Sequence, residues 1–114
     1  MLNEKDYCDY ETCVALRELG YYDPIQSNTH LTILLYDAQK WLREKKGIVV
    51  DVTFSPFGYF ASIYTNARQV ESEHLKACFK FQWDDKVYAN SESFTYEEAL
   101  LEGIKEAIKI LKEE

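Results

Sequence analysis

Glycine and proline are scarce in this sequence, with four and two copies among 114 residues. Collagen-like and low-complexity chains are rich in one or both, so those classes are excluded. The four glycines also lie far apart along the chain, whereas loops that cradle a phosphate group need several glycines close together. The sequence therefore contains no fingerprint for binding a nucleotide or a dinucleotide.

Basic residues are outnumbered, since 13 lysines and arginines face 20 aspartates and glutamates, for a net charge of -7. Binding to a phosphate backbone depends on lysine and arginine side chains that displace counterions. We therefore expect neither nucleic acid nor a membrane surface as a partner. The one local excess of positive charge, formed by Lys40, Arg43, Lys45 and Lys46, lies at the end of a predicted helix. Cations offset the helix dipole there, and we interpret the cluster as a solvated helix face.

Long apolar runs are absent, and the first six residues do not place a basic start before an apolar stretch. We therefore expect neither a signal peptide nor a membrane span. Three cysteines are an odd number, which cannot form a closed disulfide framework. The cytoplasm is the expected compartment, and the length fits one globular domain over residues 1–114.

Side chains that could bind a metal or act as nucleophiles are few: Cys8, Cys13, Cys78, His30 and His74. Structural zinc sites usually contain tight pairs such as C-x2-C, whereas Cys8 and Cys13 are five residues apart and Cys78 falls within a predicted strand. A cysteine nucleophile needs a base held beside it, and nothing in the sequence holds His74 against Cys78. We expect no metal, no cofactor and no catalytic residue, and we interpret the cysteines as core residues.

Apolar periodicity predicts two helices in the first half of the chain. Residues 9–19 form a short helix that stops at Gly20, a natural position for a left-handed residue. A second helix follows, with Thr32 as its N-cap and Gly47 as its stop. Residues 31–36 could instead form a short strand, because six residues are too few for periodicity to decide.

The last helix has the clearest signals. Thr95-Tyr96-Glu97-Glu98 is a capping box, in which the first and last residues satisfy each other's backbone groups. An apolar stripe then follows from Leu100 to Leu111. Gly103 interrupts this helix and costs about 1 kcal/mol relative to alanine. Close packing of the helix against the sheet or the second helix would explain it.

Alternation with a period of two begins at Ile48 and predicts an antiparallel hairpin over residues 48–65. Residues 66–74 are polar and are predicted to be irregular. A third strand is expected over residues 77–83, and residues 86–89 could add a fourth. The resulting order, α-α-β-β-β-(β)-α, predicts an α+β fold with an antiparallel sheet of three or four strands and helices packed on one face.

Two resemblances follow from these elements. The order helix, three strands, helix over residues 34–111 resembles that of a double-stranded-RNA-binding domain. That family contacts phosphates through a lysine-rich patch at the start of its last helix, where this sequence has Glu97 and Glu98, so the resemblance implies a fold and not RNA binding. The segments DAQKWLREKKG (37–47) and SFTYEEALLEGIKEA (93–107) resemble small, often prophage-encoded gut-bacterial proteins of unknown function, which imply no activity.

Aromatic residues are abundant, with nine tyrosines, six phenylalanines and two tryptophans. Tyrosine offers a large rigid surface with a polar tip, so this excess is typical of a binding surface, although half-buried rings on any small domain are the alternative. A sheet with helices on one face leaves the other face to solvent. The hairpin would place Val49 there, opposite either Tyr59 or the pair Phe60 and Tyr64, since the sequence leaves the register open.

These observations favour a non-enzymatic module that binds a protein partner or a second copy of itself. The predicted binding residues are Val49, Tyr59, Phe60 and Tyr64. One alternative is an acidic mimic of nucleic acid that occupies the basic cleft of a DNA-binding protein. A further alternative is a cysteine-dependent enzyme that uses Cys78 and His74.

Overall fold

A computed structural model describes residues 4–22, 33–55, 58–66, 68–72, 75 and 95–113. A 3-10 turn at Glu4–Asp6 precedes helix α1 (Tyr10–Glu18), helix α2 (Leu35–Lys45), strands β1 (Ile48–Ser55), β2 (Gly58–Thr65) and β3 (Arg68–Val70), and helix α3 (Tyr96–Lys112). The strands form an antiparallel sheet in the order β1-β2-β3. Because helices α2 and α3 pack on this sheet, the predicted α+β class is confirmed.

Helix α1 lies where the sequence predicts it and has a defined cap at each end. The Asp9 side chain accepts a hydrogen bond from the Thr12 amide at 2.8 Å. At the other end Gly20 has a φ of +106°, and the amides of Gly20 and Tyr21 each donate to a carbonyl of the last turn at 3.0 Å. This is the Schellman arrangement, which explains why the helix stops at a glycine. Gly47, with a φ of +67°, follows the end of α2 in the same conformation.

The predicted start of the second helix is wrong, because α2 begins at Leu35 and its N-cap is Leu34 rather than Thr32. Leu34 is extended and forms an isolated antiparallel bridge with Tyr7. Next to it, the Cys8 amide donates to the Ile33 carbonyl at 2.8 Å. A pairing with a distant segment therefore fixes Leu34 as extended backbone. The alternative of a short strand over residues 31–36 is wrong for Leu35 and Tyr36, which are helical, and residues 31 and 32 lie outside the described residues.

The hairpin is confirmed, with β1 and β2 paired from Ile48 opposite Thr65 to Ser55 opposite Gly58. Strand β3, however, lies within residues 66–74, where the sequence predicts irregular structure, and that prediction is wrong for its three residues. Asn66 has a φ of +51°, a conformation that asparagine tolerates better than most residues, and it turns the chain between β2 and β3. The strands expected over residues 77–83 and 86–89 lie outside the described residues.

One face of the sheet is covered by helices. Val50 opposite Ile63 and Val52 opposite Ala61 place their side chains on this face, and three of the four are buried, with Val52 only partly so. Tyr59 lies on the same face, farther along the hairpin. Further core residues lie in the N-terminal segment and the helices, and they include Cys8, Cys13, Leu16, Leu35, Leu42, Leu100 and Ile104.

Helix α3 sits close to the sheet because of Gly103. A Cβ atom at this position would lie 2.5 Å from Val50 Cγ1 and 2.9 Å from Ala61 Cβ, well inside van der Waals contact. The interpretation that Gly103 permits close packing is therefore confirmed. The capping box is confirmed as well, since Glu98 N donates to Thr95 Oγ1 at 3.1 Å and Thr95 N donates to Glu98 Oε1 at 3.0 Å.

Helix α1 is joined to α3 by two ion pairs on the surface. Lys105 contacts Asp9 at 3.0 Å, and Lys112 contacts Glu18 at 3.6 Å. Both pairs are well exposed, so each stabilises the fold only weakly. Over the described ranges, no helix has the length and apolar character needed to cross a membrane.

Candidate functional site

The register places three of the four predicted binding residues on the sheet face opposite the helices. Val49 lies opposite Tyr64, and Thr53 lies opposite Phe60. Val49 is exposed, whereas Phe60 and Tyr64 are half-buried. The fourth residue, Tyr59, is directed to the helix side. Of the two registers that the sequence leaves open, the structure has the one in which Phe60 and Tyr64 share the outer face of the sheet with Val49.

Polar residues separate the apolar side chains on this outer face. Asp51 lies opposite Ser62, between the row of Val49 and the row of Phe60. Thr53 Oγ1 also donates to Asp51 Oδ2 at 3.1 Å. The two apolar rows are four residues apart, which is about 13 Å at the usual rise of a strand. Across the described sheet, the outer face therefore presents apolar side chains at two separate places.

A more continuous surface lies at the hairpin tip, where four aromatic rings contact one another in sequence. The Phe54 and Tyr59 ring centroids are 5.1 Å apart, those of Tyr59 and Tyr96 are 5.5 Å apart, and those of Tyr96 and Tyr36 are 6.4 Å apart. The first two contacts are edge-to-face, the geometry that aromatic quadrupoles favour. We call these four residues the aromatic strip. It joins the tip of the hairpin to the first turns of α3 and α2.

The strip is exposed because the hairpin extends past the helices that cover it. Along the inner face of β1, Ile48 is 1% exposed and Val50 is 2% exposed, Val52 is half-buried, and Phe54 is 70% exposed. At the far end of the strip, Tyr36 is 49% exposed. Two aromatic rings are therefore held in place by neighbouring rings while much of their surface faces solvent.

Hydrogen bonds fix the middle of the strip to the edge of β1. Gln39 Nε2 donates to the Val50 carbonyl at 2.7 Å, and the Gln39 side chain is also hydrogen-bonded to the Tyr96 hydroxyl. Burial raises the pKa of Tyr96, the Tyr36 phenol and the carboxylates of Asp51 and Glu97 raise it further, and the hydrogen bond with Gln39 offsets part of this rise. The phenol is therefore neutral at physiological pH and available as a hydrogen-bonding group.

Acidic side chains border the strip. Asp37 follows Tyr36 in the first turn of α2, and Glu97 follows Tyr96 in the first turn of α3. Asp51 on β1 acts electrostatically on the Tyr96 hydroxyl. Lys40 is the one lysine or arginine within a helical turn after either tyrosine. In the helical turns that carry Tyr36 and Tyr96, acidic side chains therefore outnumber basic ones.

The other basic residues of α2 have a structural role. Arg43 and Lys45 lie in its last turn, where they offset the helix dipole. The Lys46 ammonium lies 5.5 Å from the centre of the Trp41 ring, and Tyr21 contacts the same ring edge-on. These contacts agree with the interpretation of a solvated helix face.

The two described cysteines are buried thiols. Cys8 and Cys13 are fully buried, and Cys13 Sγ donates to the Cys8 carbonyl at 3.6 Å. Hydrogen bonding with Cys13 and burial together raise the pKa of Cys8 far above its ordinary value, which opposes the thiolate needed for nucleophilic attack. The candidate pair Cys78 and His74 lies outside the described residues, as does His30. Within the described part of the chain, no three histidine, cysteine, aspartate or glutamate side chains are grouped to hold a metal ion.

Sequence reasoning identified part of the strip and missed the rest. Tyr59 is among the predicted binding residues, and Tyr36 is one of the nine tyrosines whose number is typical of a binding surface. Phe54 and Tyr96 were missed, because strand alternation places Phe54 on the covered face and Tyr96 occupies a capping-box position. The available signal was the cluster of three aromatic residues, Phe54, Phe57 and Tyr59, around the predicted turn.

Comparisons with protein-family models, with curated proteins and with solved structures find no match to this chain. The geometry and charge of its own surface are therefore the basis on which its function can be argued.

Proposed function

We propose that the protein is a non-enzymatic module that binds another protein through the aromatic strip. The observation that supports this is the continuous contact of four rings with Phe54 70% exposed and Tyr36 49% exposed. Exposed aromatic rings that are already ordered make effective anchors at interfaces, because they bury a large area and lose little conformational freedom.

The exposed Phe54 ring adds little to the stability of the isolated domain, so stability does not explain why a phenylalanine lies at this position. Full burial of a phenylalanine side chain contributes about 2–3 kcal/mol, and most of that contribution is missing when the ring faces water. Binding of a partner that covers the hairpin tip would bury the ring and so gain this free energy. The contacts among the rings also keep the strip preorganised, which reduces the entropic cost of binding.

The test compares two double variants, each of which replaces two exposed aromatic residues with serine. Phe54→Ser with Tyr36→Ser removes the two exposed rings of the strip. Tyr10→Ser with Tyr22→Ser removes two exposed rings elsewhere and is the control. Each tagged protein is expressed in its source organism, captured proteins are identified, and the strongest candidate is purified and titrated by calorimetry.

We expect the wild type and the control to bind the same purified partner, and the strip variant to bind it at least about tenfold more weakly. Equal binding by the strip variant and the control would show that the strip is not the binding surface. Thermal unfolding of all three proteins verifies that the variants are folded.

We further propose that the protein works in the cytoplasm. The support is the pair of reduced cysteines, Cys8 and Cys13, in the core, since proteins of oxidising compartments tend to pair their cysteines. Cell fractionation followed by immunoblotting tests this, and recovery in an extracellular or membrane fraction would contradict it.

A further inference from the structure

We infer that the aromatic strip recognises a basic segment of the partner, with an arginine side chain stacked on one of its exposed rings. This inference rests on the proposed function and adds the chemistry of the partner. It follows from two features that occur together at the hairpin tip: aromatic faces open to solvent, and carboxylates beside them.

The rings supply the first half of the recognition. The face of an aromatic ring is negative, so it attracts cations, and arginine more often than lysine. The planar guanidinium also stacks on a ring and is less strongly hydrated than an ammonium, so it loses less on leaving water. Phe54 and Tyr36, at opposite ends of the strip, are the rings with open area for such a contact.

Three carboxylates supply the second half of the recognition. Asp37 and Asp51 are exposed, and Glu97 is half-buried. Asp37 and Glu97 each follow a tyrosine of the strip. The charges of Asp51 and Glu97 act on Tyr96, so they reach the middle of the strip, and an arginine fork suits a carboxylate. Within one helical turn after Tyr36 or Tyr96, the sequence has one basic residue, Lys40.

The same charges argue against the other occupants of this surface. A second copy of the chain that met the first strip to strip would bring Asp37 and Glu97 towards the acidic side chains of the other strip, and like charges placed together oppose association. A neutral apolar partner would remove water from these carboxylates without replacing it. A basic segment is the partner that satisfies rings and carboxylates together, and the net charge of -7 would accelerate its encounter.

The probe is a short peptide of alternating arginine and glycine, and its matched control is the same peptide with citrulline in place of arginine. Citrulline keeps the planar shape and removes the charge. Binding is followed by chemical-shift changes in nitrogen-15 spectra of the full chain, at low and at physiological salt. We expect the arginine peptide to shift the amides around Phe54 and Tyr36, and the citrulline peptide to bind about tenfold more weakly.

Two pairs of variants separate the rings from the charge. Phe54→Ser with Tyr36→Ser should weaken the arginine peptide about tenfold. Asp37→Asn with Glu97→Gln should weaken it by a similar factor at low salt and by less at high salt, because salt screens exposed charges. Glu44→Gln with Glu113→Gln changes the net charge equally at two distant exposed sites and should leave the affinity within about twofold.

The outcomes also distinguish this inference from the proposed function. If the two peptides bind equally, if neither binds, or if the distant charge variant loses as much affinity as the local one, the basic-segment inference is wrong. A partner found by capture can still depend on Phe54 and Tyr36 in that case, and the proposed function survives. A mass that rises with concentration in sedimentation, and falls back in the Phe54→Ser, Tyr36→Ser variant, would show that a second copy occupies the strip and would overturn the inference.

Discussion

Replacing Gly103 with alanine tests how closely α3 lies on the sheet. The added methyl group would stand 2.5 Å from Val50 Cγ1 and 2.9 Å from Ala61 Cβ. Ordinary carbon contacts begin near ~3.5 Å, so the two distances are short by about 1 Å and about 0.6 Å respectively. Ala61 Cβ is attached directly to the backbone and cannot rotate away. The helix and β2 must therefore move apart, or the packing of both changes.

Two opposing effects determine the size of the loss. Alanine is favoured over glycine inside a helix by about 1 kcal/mol. Overpacking a well-packed core costs about 1–3 kcal/mol, and the upper part of that range applies because one of the two contacts is with a rigid atom. We expect Gly103→Ala to lower the free energy of unfolding by about 2 kcal/mol.

The measurement is urea unfolding at 25 °C, followed by far-ultraviolet circular dichroism. If the slope of the unfolding free energy against urea concentration is the same in all variants, a change in midpoint can be converted to a change in free energy. The exposed position Lys109 in the same helix is the control for helix propensity. The Lys109→Gly variant should unfold with a free energy about 1 kcal/mol lower than that of the Lys109→Ala variant. Val50→Ala should also cost at least about 1 kcal/mol less in the Gly103→Ala background than in the wild type, because it removes one of the two clashing atoms. A Gly103→Ala protein that is more stable than the wild type by the propensity gain would refute the packing argument.

Three further predictions concern the caps and the buried thiols. Thr95→Ala should lower the free energy of unfolding by about 1 kcal/mol in urea unfolding, because it removes the N-cap of α3. Burial alone would raise the pKa of Asp9, but the hydrogen bonds of its carboxylate with Thr12 and Lys105 outweigh that effect and lower the pKa. The Asp9 carboxylate therefore stabilises the fold above the unfolded pKa of about 3.9, and this contribution is lost as pH falls through the lower folded pKa. Asp9→Asn should accordingly reduce the loss of stability in acid. Cys8 and Cys13 should react with a thiol reagent only as fast as the protein opens, as read for each cysteine by mass spectrometry, and rapid labelling in native conditions would contradict their burial.

The parts of the fold that the sequence predicts well are those fixed by neighbouring residues. The stop of α1 at Gly20 and the capping box at Thr95 depend on groups within a few positions of one another, and both are predicted from the sequence. The hairpin is similarly local, since its two strands follow one another with a short turn between them. Hydrophobic spacing and turn chemistry act over the same short distances, so they indicate these elements directly.

The parts that differ depend on backbone pairing that the side-chain pattern does not indicate. Leu34 is extended because Tyr7, more than twenty residues earlier, pairs with it. Strand β3 has only three residues, and it exists because Asn66 turns the chain back onto β2. Polar residues such as Arg68 and Gln69 do not suggest a strand on their own. In both places a backbone partner supplied by the tertiary structure decides the conformation, as is usual for strand propensity.

The aromatic strip shows a second way in which a local pattern is incomplete. Alternation places Phe54 on the same face as Val50, and the register confirms it, yet Val50 is buried and Phe54 is mostly exposed. Alternation determines the face of a sheet to which a side chain belongs, whereas burial depends on how far the covering helix extends along that face. Because Tyr96 begins α3 beside Tyr59, Phe54 lies past the helical cover on the face that otherwise forms the core. An apolar ring at such a position adds little to the stability of the domain and is available to a partner, which is why the binding surface is proposed at the hairpin tip rather than on the outer face of the sheet.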